Sequence, residues 1–112
     1  MTTPTPTSAE SCYQKYTTPG DRSVANKLLK AIKSAGFKMS VNDGEEVVIK
    51  NSTSIQAVKD VLGSTGEDYL RVTDSEDAHV GTFWMIWDNG DGEPIADYTS
   101  NDACEKLYNA AQ

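Results

Sequence analysis

The groups able to do chemistry in this chain are loop carboxylates, a single histidine and two cysteines, and their spacing sets what each can do. The richest run of oxygen ligands is WDNGDGEPIADY at positions 87–98. A calcium loop of that length needs a carboxylate first, a glycine sixth and a bidentate glutamate twelfth. With Gly92 in the glycine place, Trp87 falls first and Tyr98 last, so the ligand set fails and a hairpin turn with hydrated acids is expected instead. DSED at 74–77 also lacks the required glycine. His79 has no nucleophile elbow of the GxSxG type to serve, and it reads as an exposed loop residue. Carboxylate pairs such as Asp74 with Asp77, or Asp88 with Asp91, lie within one loop, whereas glycosidase chemistry needs them across a cleft. GDRS, GSTG and GDGE match neither phosphate-cradling fingerprint. Cys12 and Cys104 have no CxxC spacing and no adjacent histidine, which argues against zinc; two unlinked thiols are expected, with a terminal disulfide as the alternative in an oxidising compartment. The expectation is a protein that is not an enzyme and uses no cofactor or metal.

Charge is the feature that rises above background. The chain has 112 residues, 38% of them hydrophobic, and a formal charge of −7. Residues 1–60 hold six acids and eight bases, a net +2, while residues 61–112 hold eleven acids and two bases, a net −9. Glu67, Asp68, Asp74, Glu76, Asp77, Asp88, Asp91, Glu93 and Asp97 flank a run that carries both tryptophans, Trp84 and Trp87. A field of that sign repels nucleic acid and anionic membranes and attracts a basic surface. Aromatic side chains rimmed by acids are what an interface anchor looks like. The partner-binding residues expected are therefore Asp74, Glu76, Asp77, Trp84, Trp87, Asp88, Asp91, Glu93 and Asp97. No apolar run approaches the roughly 18 residues of a membrane span, and the first residues lack the basic and apolar regions of a secretory signal.

The elements that must position these groups follow from periodicity. Residues 1–20 open on the Thr/Pro-rich MTTPTPTS and are expected to form a flexible tail, with a short helix over SAESCYQKY, and residues 21–112 to form one α+β domain. Asp21 or Ser23 caps an amphipathic helix that carries Val24, Leu28, Leu29, Ala31, Ile32 and Ala35 on one stripe and ends at Gly36. Phe37–Val41 and the EEVVIK run form a hairpin about Asn42, Asp43 and Gly44. Thr53 and Gln56 stand at capping-box spacing for a second helix that ends at Gly63. Tyr69–Thr73, Val80–Trp87 and Pro94–Tyr98 read as three further strands, and Ser100 or Asn101 caps a last helix. VGTFWMIW is apolar on both alternating faces, which places it centrally, covered on both sides at least in part. The order α-β-β-α-β-β-β-α implies a mainly antiparallel sheet of about five strands with helices packed on one face.

NDGEE, LGSTGEDYLRV, VGTFWMIWDNG and IADYTSN, spread over roughly residues 41–101, resemble a pattern found in small accessory proteins of bacteriophages and prophages. That resemblance implies a phage context, and with it the cytoplasm of a bacterial host, but no activity. Phage proteins of this compact, acidic kind commonly bind and block host machinery, and closely spaced carboxylates can imitate phosphates in a nucleic-acid groove. The function expected is a non-enzymatic inhibitor of a basic host protein or nucleic-acid-binding defence complex, of the anti-CRISPR kind. The alternatives are a homodimeric or larger phage structural or assembly protein, and a small hydrolase using His79.

Overall fold

The computed structural model describes residues 15–88 and 93–112. Among the described residues, three helices and five strands follow in the order α1 (Pro19–Ser34), β1 (Lys38–Asn42), β2 (Val47–Ser52), α2 (Ile55–Lys59), β3 (Glu67–Thr73), β4 (His79–Ile86), β5 (Ile95–Tyr98) and α3 (Asp102–Ala110). The fold is α+β. The strands form one sheet in the order β2-β1-β3-β4-β5, with every neighbouring pair antiparallel. Because β1 lies between β2 and β3, the chain leaving β2 must cross to the far side of β1, and α2 carries it there.

α1 begins earlier than its sequence suggests. Thr18 is the cap, with Pro19 at the first helical position; its hydroxyl accepts from the Asp21 N–H at 3.1 Å, and the Asp21 carboxylate accepts from the Thr18 N–H at 3.1 Å. Asp21 is thus the third helical residue of a capping box, and Pro19, which has no N–H to leave unsatisfied, starts the helix. The folded unit accordingly begins before Asp21: Thr17 is buried, and the Tyr16 N–H donates to Gly63 O at 3.0 Å. Cys12 and most of the expected SAESCYQKY helix lie outside the described residues, while Cys104 is buried with a free thiol.

α2 is shorter than its apolar spacing implied. Ser54, not Thr53, accepts the capping bond from Ala57 at 3.1 Å, and the helix ends at Lys59. Val61 and Leu62 continue in turns, each donating to Val58 O, which still delivers Leu62 to the core. Asn101 caps α3 through Cys104 N–H at 2.8 Å.

One core fills the space between the helices and one face of the sheet. Leu28, Leu29 and Ile32 of α1 meet Met39 and Val41 of β1, Leu70 and Val72 of β3, Phe83 and Met85 of β4, and Leu107 of α3. An aromatic row, Phe83, Tyr98 and Tyr108, joins β4, β5 and α3 with centroid spacings of 5.6 and 4.6 Å. α3 can approach β4 closely because residue 81 is glycine: a Cβ there would run into Cys104 Sγ and lie 3.1 Å from Thr99 Cβ. Among the described residues, no helix packs on the opposite face of the sheet.

Candidate functional site

Alternation along β3 and β4 sends Leu70, Val72, Phe83 and Met85 inward and Tyr69, Arg71, Thr82 and Trp84 to the helix-free face. The register places Tyr69 opposite Trp84 and Arg71 opposite Thr82, and β5 adds Asp97 on the other side of Trp84. Tyr69 and Trp84 stack across the strands at 6.2 Å and 10°. The Trp84 Nε1–H donates to Glu67 Oε1 at 2.9 Å, which braces the indole. Trp84 is 36% exposed, and on the same face Val47 is 56% exposed. A shallow cavity of about 330 Å³ lies beside the indole, lined by Tyr69, Thr82, Trp84, Asp97, Tyr98 and Thr99. A neighbouring one of about 450 Å³ shares Tyr69 and Thr82 and continues over Ser40, Val47 and Arg71. The face is therefore bipolar, with Glu67 and Asp97 about the tryptophan and Arg71 with Lys50 toward β2.

The two tryptophans part company. Trp87 is 4% exposed and belongs to the core, so the expectation that it contacts a partner is corrected. Its Nε1–H donates to Asp68 Oδ2 at 2.7 Å, and the same oxygen accepts from Gly63 N–H at 2.9 Å. Asp68 is fully buried, and its Oδ1 has no partner among the described residues. Burial pushes this carboxyl up to about 6; the bonds from Gly63 and Trp87 pull the other way, and the charges of Asp43 and Glu67 add to the rise.

The acids expected beside the tryptophan strand divide among three places. Asp74, Glu76 and Asp77 sit at the β3–β4 turn. Asp74 is committed to that turn, its Oδ1 accepting from the Glu76 and Ala78 N–H groups at 2.8 and 2.9 Å, and Asp77 pairs with Lys38 at 2.6 Å. Asp88 and Glu93 lie at the other end of β4, about 24 Å away for eight residues at strand rise. There the Asp88 N–H donates to Asp21 Oδ2 at 2.8 Å, and the Pro94 carbonyl accepts from the Ile86 N–H. Of the acids expected to contact a partner, Asp97 stands beside Trp84, and Asp91 lies outside the described residues. The single acidic patch is thereby corrected to separate groups, because a strand between two turns sends their side chains to opposite ends of the sheet.

Two residues of the site were missed: Tyr69, which stacks on Trp84, and Glu67, which holds it. Alternation of Leu70 and Val72 already implied that Tyr69 faces away from the core, but its pairing with Trp84 depends on register. His79 is exposed, and its Nε2 lies 3.0 Å from Thr82 Oγ1; among the described residues no carboxylate hydrogen-bonds the ring to orient it as a base. Among the described residues no cluster of three or more His, Cys, Asp or Glu could hold a metal, and no helix is long and apolar enough to cross a membrane. Compared with protein-family models, curated proteins and solved structures, the chain matches none.

Proposed function

We propose that this chain is a non-enzymatic binding protein that seats a basic surface of a host protein on its helix-free sheet face and blocks that surface by occupying it. The observation that carries this reading is Trp84: a large aromatic ring one-third exposed on the sheet face that no described helix covers, stacked on Tyr69 and braced by Glu67. A hydrated exposed indole costs free energy that a partner's surface recovers on contact, and rigid aromatics of this kind dominate binding energy. The partner's sign follows from Asp97 and Glu67 at the ring and from the net −7, which steers cations toward the molecule. Imitation of a row of phosphates is not part of the reading, since the acids stand in separate groups.

The phage resemblance supplies the setting, a bacterial host. Paired baits test the reading: wild-type chain and Trp84→Ala, each exposed to host lysate, with retained proteins compared at 0.05 and 0.5 M salt. A basic protein held by the wild type at low salt, and lost on Trp84→Ala, is expected; equal retention by both baits overturns it. His79→Ala should retain the same protein, and loss of the biological effect in that variant with the fold intact would restore the hydrolase alternative.

A further inference from the structure

A basic protein surface presents two kinds of cation, the ammonium of lysine and the guanidinium of arginine. The cavity beside Trp84 has a composition suited to one kind of group. It is lined by the near-parallel, stacked rings of Tyr69 and Trp84, by Asp97, and by Thr82, Thr99 and Tyr98, the Tyr98 hydroxyl itself being turned away to Glu105 of α3. The Trp84 N–H is already committed to Glu67, so the ring offers its π-surface and not a donor. Asp97 Oδ1 accepts from the Tyr98 N–H at 2.8 Å, which orients the carboxylate and leaves Oδ2 open to a second donor. A π-face next to an oriented carboxylate favours a flat cation able to stack and donate at once, which is a guanidinium. An ammonium satisfies the carboxylate but stacks less well, and a neutral planar group stacks but leaves the charge unmatched.

We infer that the Trp84–Asp97 cavity is an arginine-binding site, in which a partner's guanidinium lies on the indole and pairs with Asp97. This rests on the proposed basic partner and names the side chain by which that partner is read. Arg71 borders the adjoining cavity, two residues from Tyr69 on the same face, and its charge opposes a second cation. The incoming guanidinium is thereby confined to the β4–β5 side.

The test titrates the intact chain with blocked arginine (acetyl-arginine amide), blocked lysine and blocked citrulline, the last being the neutral isostere of arginine. Binding is followed by the Trp84 indole N–H resonance, assigned by its absence in Trp84→Phe. Millimolar saturation by arginine is expected, with lysine severalfold weaker and citrulline at least tenfold weaker. Asp97→Asn should weaken arginine about fivefold, as an exposed ion pair does. Trp84→Ala should abolish its effect on neighbouring amides, and Arg71→Ala should strengthen it. Equal shifts with arginine and citrulline, or arginine shifts confined to the Asp74–Asp77 turn or the Asp88 end, overturn the inference. If the probe is silent while lysate capture still depends on Trp84, the arginine assignment falls and the binding reading stands; if both fail, neither stands. A dimer in light scattering that Arg71→Ala dissociates would give the pocket to a second copy of the chain and overturn the host-partner assignment.

Discussion

At Asp68 a carboxylate lies wholly inside the protein, on two N–H donors, the Gly63 backbone and the Trp87 indole. Its folded value, about 6, exceeds the ordinary aspartate value, so the folded state holds a proton that the unfolded chain has released between those limits. The resulting stability is fully present below about pH 4 and is lost as pH rises through 6, by up to about 3 kcal/mol over the two-unit difference. Asp68→Asn removes that dependence while keeping an oxygen for the Trp87 and Gly63 bonds. Denaturant unfolding of both proteins from pH 4 to 7.5 checks this: wild type minus variant should fall with rising pH, and a flat difference contradicts the buried-acid assignment. Asp68 was legible in the sequence only as one more acid in a charged stretch. Nothing in EDYLRVT separates Glu67, which points to the open face, from Asp68, which points to the core, until the alternation of Leu70 and Val72 is carried back past Tyr69.

Between elements, the closest approach is that of α3 to β4 at Gly81. Gly81→Ala would drive a methyl group into Cys104 Sγ and within 3.1 Å of Thr99 Cβ, so the helix or the strand must shift. Overpacking of this kind costs about 1–3 kcal/mol. Cys104→Ala in the same chain should recover part of the loss, giving a non-additive double mutant in thermal or denaturant unfolding; full additivity would show that the two residues do not press on one another. At the other end of the sheet, Asp21 both closes the α1 capping box and accepts the Asp88 N–H, tying the helix start to the exit of β4. Thr18→Ala should cost about 1 kcal/mol as a lost cap. Asp21→Ala should cost more, about 2–3 kcal/mol, because it also leaves the Asp88 N–H without a partner. Element identity was readable along most of the chain because apolar spacing switches cleanly between 3.6 and 2. The errors fell where side-chain pattern and backbone diverge. Val61 and Leu62 keep helical spacing after α2 has ended, and VGTFWMIW looks covered on both faces although Trp84 is not, since an anchor and a core residue have the same pattern.

For the molecule as a whole, the division of charge along the chain is real, but its projection onto the surface differs from the linear picture. A turn at each end of β4 separates Asp74, Glu76 and Asp77 from Asp88 and Glu93, and only the register of five strands reveals that Glu67 and Asp97 are the acids that meet Trp84. That register is not encoded in composition; it is set by turns such as the one where Asp77 takes φ of 67° and by Gly44 at 104° in the first hairpin. The separation predicts two kinetic signatures for the proposed basic partner. Asp88 is about 13 Å along β4 from Trp84 at strand rise, beyond the roughly 8 Å screening length at physiological salt. Reversing Asp88 and Glu93 together to lysine should therefore slow association at low salt, through the lost long-range field, and leave dissociation nearly unchanged. Asp97→Lys acts at the contact itself, so it should raise the dissociation rate at least tenfold at any salt concentration, on top of a similar slowing of association. Trp84→Ala should remove binding while costing the fold only about 1–2 kcal/mol, because the ring is already partly in water. Surface plasmon resonance across a salt series separates these cases: a distant reversal that changes dissociation as strongly as Asp97→Lys would move the contact away from the tryptophan and toward the end of the sheet.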